Sequence, residues 1–172
     1  MTDQYGSADV ERRDFIGALT KQRKLLLRTV HGLSEEQVRL RPTASALCLG
    51  GLIKHVTLAE RNWSRFMTEG ASAMGGNDAG SIAHHAATFD MTEDETMAAL
   101  RQRYEECARS TDELVMTLPS LDMSHPLPEA PWYEQGEWSA RRVLLHIIAE
   151  TAQHAGHADI IREAIDGAKT MG

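Results

Sequence analysis

Apolar residues in this chain recur at intervals of three and four along four long stretches, and they almost never alternate. Short runs of Val, Ile and Thr that read as strands are missing, while Ala, Leu, Glu, Arg and Met are abundant. A chain patterned in this way must build its core from helices. The first helix is expected near residues 8–31, with Val10, Phe15, Leu19, Leu26 and Val30 on its apolar face and Gly32 closing it. Ser34-Glu35-Glu36-Gln37 is a capping-box pattern that starts a short turn, and Arg41-Pro42 breaks the register after it.

The second helix is expected near 48–69, where Leu49, Leu52, Ile53, Val56, Trp63 and Met67 form one stripe. Residues 70–90, rich in Gly, Ala, Ser and His and containing Gly75-Gly76-Asn77-Asp78, read as a loop. Thr92-Glu93-Asp94-Glu95 is a second capping box and is expected to open a third helix running to Leu118. A connection bearing Pro119, Pro126, Pro128 and Pro131 leads to Trp138, and Ser139 N-caps a fourth helix that ends at Asp166 before Gly167. Four amphipathic helices with long connections predict an all-α fold, a four-helix bundle, as one domain over residues 1–172. No internal repeat and no Gly-rich phosphate loop interrupts the pattern.

Charge and cysteine content narrow the function. With 18 Lys and Arg against 25 Asp and Glu, the net charge is −7, so a basic nucleic-acid-binding surface is not expected. Cys48 and Cys107 are too few for a disulfide framework and suit a reducing cytosol. The polar start Met1-Thr2-Asp3 is not a signal peptide, and no apolar run reaches the roughly 20 residues that span a bilayer. A cytoplasmic protein without a membrane partner is expected, and exposed bundle faces leave room for a homodimer.

The fourth helix carries the anomaly. Val143, Ile147, Ile161 and Ile165 share a stripe, and at roughly 100° per residue Glu150, His154 and His157 fall within about 40° of it. Three titratable groups therefore interrupt an apolar face. A carboxylate buried there needs a partner. A metal ion satisfies a carboxylate and imidazoles together, and i, i+4 spacing puts two ligands on one side of a helix turn. His55, beside the stripe of the second helix, is the best third donor. The set His55, Glu150 and His154 leaves open positions, and its nitrogen and oxygen donors suit zinc, nickel, iron or manganese.

Each residue also has a plainer reading. His55 can be a hydrogen-bonded core residue, and Glu150 with His154 a buried ion pair. His157 can be a ligand, a partner behind the ligands, or a proton carrier in catalysis. His146 reads as structural and His84-His85 as solvated loop residues able to approach the site. Cys48 reads as a packed small hydrophobe, and Trp63, Trp132 and Trp138 as core or pocket walls.

At the segments Gly50–Arg61 and Leu144–Ile165 the sequence resembles the DinB/YfiT-like superfamily of metal-binding four-helix bundles, and the resemblance covers essentially the whole chain. Members commonly have a His on the second helix, matched by His55, and a His-x-x-x-His pair on the last. His154 matches the final His of that pair, and Glu150 stands where the first His is commonest. This Glu-x-x-x-His form looks like the mycothiol-dependent maleylpyruvate isomerase branch, in which the carboxylate is a zinc ligand. The Gln that often follows the last His by three is here His157. The resemblance implies a divalent-metal-dependent S-transferase that conjugates a low-molecular-weight thiol, mycothiol, to small electrophiles. Thiol-dependent isomerases, metal-dependent hydrolases and non-catalytic metal-binding bundles are the alternatives it leaves.

Overall fold

The computed structural model describes residues 4–74, 76, 78–129 and 135–170. Met1 to Asp3, Gly75, Asn77, Pro131 and Trp132 lie outside the described residues. Four long helices carry the fold: α1 (Gln4–Arg28), α2 (Leu49–Glu69), α4 (Met97–Thr117) and α5 (Ala140–Asp166). A short helix, α3 (Ala79–Ala87), and an antiparallel strand pair, β1 (Ser124–Pro126) with β2 (Glu137–Ser139), lie in the connections. The helical bundle expected from the periodicity is the fold observed.

The helix ends follow from local chemistry. After Arg28 the chain tightens into i→i−3 bonds, from Thr29 N to Leu26 O (3.1 Å) and from His31 N to Arg28 O (3.2 Å). Gly32 then takes φ +76°, a left-handed turn open to glycine. Ser34 and Gln37 make the reciprocal capping box, Ser34 N to Gln37 Oε1 at 3.0 Å and Gln37 N to Ser34 Oγ at 3.2 Å, which starts a single 3₁₀ turn. Ser139 Oγ caps α5 by accepting from Arg142 N.

Two expectations need correction. The stretch 70–90 is not all loop, because Asp78 accepts from Gly80 N and Ser81 N and caps the Ala-rich helix α3. The third long helix does not open at Thr92. Thr92 N does donate to Glu95 Oε2 at 2.9 Å, but Lys54 Nζ holds the same oxygen at 3.0 Å, and the helix is capped instead by Thr96 Oγ1 through Ala99 N. The strand pair, with His125 opposite Trp138, had no alternating pattern to announce it.

Around the bundle α5 packs on α1 and α2, and α4 packs on α2 and α1. Consecutive helices α1 and α2 therefore sit at opposite corners, as do α4 and α5, which is why their connections are long. One half of the core centres on Trp63, Phe66, Leu144 and Ile147, and the other on Leu52, Val56, Tyr104 and Ala158. Between corners, buried Arg23 of α1 reaches Glu60 of α2 with Nη2 to Oε1 at 2.5 Å and Nε to Oε2 at 3.2 Å. Its Nη1 holds Asp112 of α4 at 2.8 Å, so one guanidinium ties three helices.

A close approach at the start of α2 positions the site. A side chain at Gly51 would place its Cβ 1.8 Å from Phe89 O, and one at Gly50 would meet Met91 Sδ at 2.5 Å. Only glycine lets the 88–91 segment press against the helix there. Thr88 and Phe89 are thereby laid over His55, one helical turn further on.

Candidate metal centre

His55 is 4% exposed on α2, and His154 is 8% exposed on α5. Glu150, half-buried one turn before His154, places Oε1 between the two rings, 3.3 Å from His55 Nε2 and 3.2 Å from His154 Nε2. One donor atom from each of the three residues lies within 4.8 Å of the others, the only such cluster of three found among the described residues. The three residues expected from the stripe and from His55 are brought together.

Proton bookkeeping at His55 tests whether a cation fits. Thr88 Oγ1 donates its proton to His85 O at 2.6 Å, so its oxygen is free to accept from His55 Nδ1–H at 2.8 Å. With Nδ1 protonated, the neutral ring turns the bare lone pair of Nε2 toward a carboxylate oxygen. Two acceptors at 3.3 Å require a cation between them, either a proton or a metal ion. Burial lowers the pKa of His55, with the Glu150 carboxylate pulling the other way, so the imidazolium is disfavoured. Where protons rather than a metal ion fill these gaps, hydrogen bonds from His154 and His55 hold the Glu150 carboxyl well below the usual carboxylate range and keep it anionic. The donors fit a divalent ion.

The surrounding residues orient these donors. His157 Nδ1 lies 3.4 Å from His154 Nδ1, so the two rings share one proton, and His154 Nε2 presents a lone pair when its Nδ1 is the donor. His157 thus stands behind a donor residue. Phe89 stacks on His55 with centroids 3.8 Å apart and planes 18° from parallel, fixing the ring from one face. Thr88 and Phe89 went unnoticed in the sequence because they lie in a stretch without helical period. The Gly50-Gly51 pair at a helix start was the signal that some backbone approaches there.

A cavity of about 470 Å³ adjoins the donors, and its lining includes His55, Glu150, Trp63, His146 and the α3 residues Ile82, His84 and His85. His85 has its ring 5.4 Å from His55 and His84 lines the cavity, so both histidines, expected in a loop but carried by α3, approach the site while remaining exposed. His146 is half-buried between Trp63 (4.7 Å) and Trp138 (5.2 Å), and burial lowers its pKa. Cys48 is buried at the head of α2 with Sγ 4.0 Å from Phe89 O, a packed residue as expected. Cys107 lies against α2, and burial pushes its thiol up to about 12, so it is no nucleophile at neutral pH. A larger groove of about 760 Å³ between α2 and α4 is lined by residues such as Thr57 and Cys107 and holds no such donor cluster.

Four long helices around a buried His–Glu–His cluster define a DinB-like bundle. The family model of mycothiol-S-transferase matches residues 14–167, and the chain belongs to that family. A conserved Enterococcus faecalis protein of known crystal structure superposes with a TM-score of 0.65 over 91% of this chain and 97% of its own, at 12% identity, a likeness of fold. No curated protein sequence matches the chain. Among the described residues no helix is long and apolar enough to cross a membrane.

Proposed function

We propose that this chain is a divalent-metal-dependent S-transferase that joins a low-molecular-weight thiol, mycothiol, to small electrophiles in the cytoplasm. His55, Glu150 and His154 hold the ion, and zinc suits their nitrogen and oxygen donors. The observation that carries the reading is the lone pair of His55 Nε2 facing Glu150 Oε1 beside an accessible cavity. When bound, the ion supplies Lewis acidity that lowers a thiol's pKa and favours thiolate, the true nucleophile, at neutral pH. Thr88 keeps His55 in the tautomer that donates through Nε2. His157 does the same for His154 by accepting its Nδ1 proton. Trp63 and His146 wall the cavity and limit water beside the donors. In the overall transfer the sulfur–carbon bond forms as the carbon–leaving-group bond breaks, the leaving group takes that bond's electron pair, and the thiol proton passes to solvent. The high pKa of Cys107 and the packing of Cys48 fit a chain whose nucleophile is supplied by its substrate.

The test is elemental analysis of untagged protein beside thiol consumption with a model electrophile, before and after chelation. About one zinc per chain and metal-dependent turnover are expected. Glu150→Ala and His154→Ala should lose the ion while staying helical, and His157→Ala should keep it with slower turnover. Wild-type metal content in all three variants overturns the ligand assignment, and metal without thiol consumption overturns the activity.

A further inference from the structure

The cavity beside the donors carries polar groups that an ion does not use. Arg61 and Asn62 of α2 both line it. Neither makes a hydrogen bond or ion pair with any described residue. Asn62 is half-buried, and at seven residues from His55 it lies two turns along the same helix face. Arg61 is exposed, and its i±4 neighbours are Thr57 and Arg65. Exposed Arg13, Arg28 and Arg109 likewise lack an ion pair among the described residues, but none of them lines this cavity. Arg65 pairs with Glu69 at 2.5 Å and Arg101 with Glu105 at 2.9 Å, each through a carboxylate one turn on. Arg61 is left beside a like charge, on the ridge between this cavity and the α2–α4 groove, both of which it lines, in a chain of net charge −7.

Trp63, Met74, Ile82 and His146 give the wall an apolar and aromatic stretch, beside polar Ser81 and Thr88. A volume of about 470 Å³ accommodates a ring with short substituents. His55 and Glu150 line the same cavity as Arg61, so one ligand can touch both ends. From this arrangement we propose that the second substrate is a flat, apolar or aromatic electrophile bearing a carboxylate. Arg61 holds the carboxylate through its forked donors, and the ring lies along the Trp63–His146 wall. The reacting carbon is thereby turned toward the donor cluster. A guanidinium suits this task because its planar N–H pair matches a carboxylate's two oxygens. The inference rests on the transferase reading only in calling the ligand an electrophile. The anion site itself is independent of that reading.

Binding to the zinc-loaded full chain tests it, with 4-nitrobenzoate and its uncharged methyl ester as probes and quenching of tryptophan fluorescence as the readout. The wild type should bind the carboxylate at least about tenfold more tightly than the ester, as a charge-assisted bidentate contact implies. Arg61→Gln should abolish the preference by weakening the carboxylate alone, and Arg61→Lys should keep part of it. Equal binding of the two probes by the wild type, or no binding of either at millimolar concentration, overturns the proposal. A preference that survives in Arg61→Gln also overturns it, because the ion or another cation then holds the carboxylate. A parallel assay with 4-(bromomethyl)benzoate and its methyl ester follows thiol consumption, in which the S–C bond forms as bromide departs with the C–Br electron pair. Thiol left unconsumed by both esters and acids, with the binding preference intact, defeats the transferase reading and leaves the anion site standing.

Discussion

At the scale of single residues, Thr88 shows how much of the proposed metal site lies outside its three donors. Its hydroxyl accepts from His55 Nδ1–H and donates to His85 O, so it sets which nitrogen of His55 is bare. Thr88→Val keeps the shape and removes the acceptor. Zinc affinity, measured by competition with a chromophoric chelator, should fall about 10–100-fold, as for partners behind other metal ligands. Thr88→Ser should restore most of it, and unchanged affinity in Thr88→Val means that packing by Phe89 alone fixes the ring. His146 gives a second test, through protons. Burial lowers its pKa, so the unfolded chain takes up a proton near pH 6.5 while the folded chain resists until lower pH. Its stabilising contribution is therefore present above pH 6.5 and lost as pH falls from there through the folded value. Metal-free wild type should lose a few degrees of Tm between pH 7 and 5.5, and His146→Phe should lose less. A fall of the same size in both proteins assigns the effect to other groups.

At the scale of elements, the close approach at Gly51 links the head of α2 to the chain crossing it. A Cβ 1.8 Å from Phe89 O cannot be absorbed by a side-chain rotation, because the obstacle is backbone. Gly51→Ala should push the 88–91 segment off α2 and withdraw Thr88 from His55. We expect a loss of zinc affinity comparable to that of Thr88→Val, together with about 1–3 kcal/mol of stability by urea titration, the range for overpacking. Wild-type affinity in a folded Gly51→Ala protein would show that the segment shifts without moving Thr88. The sequence made the four long helices legible because each buries a stripe with helical period, and it made His55, Glu150 and His154 legible because they break or border those stripes. The helix α3 had no such mark, since none of its side chains is buried and only Asp78 and the alanine content favour it. Thr88 and Phe89 act through contacts distant in sequence, which no local period encodes. The false start at Thr92 has a similar origin, because Glu95 serves Lys54 of α2 as well as its own turn.

At the scale of the whole molecule, Arg23 is the buried charge on which the corners depend. It is 6% exposed and Glu60 is 1% exposed, so removing either partner strands the other in the core. Arg23→Met should cost about 3–5 kcal/mol, whereas Arg23→Met with Glu60→Leu should recover much of that loss. Chemical denaturation of the single and double variants measures the difference. A double variant no better than the single would assign the cost to packing.

The placement of consecutive helices at opposite corners also bears on how the chain assembles. An up-and-down bundle can zip each helix onto the one before it, but here α1 must wait for α4 and α5 to gain its flanking neighbours. The contacts of α1 with α4 and α5 span long sequence separations, which slows folding relative to helical proteins of local topology. During synthesis the apolar stripes of α1 and α2 stay uncovered until the later helices emerge, an interval in which chaperones have a substrate. Glu150 and His154 both belong to α5, the latest of the long helices, so the nascent chain has a single donor, His55, until that helix docks. On the proposed reading, acquisition of an ion would be a late event in the life of the polypeptide, and it would report that the bundle has closed.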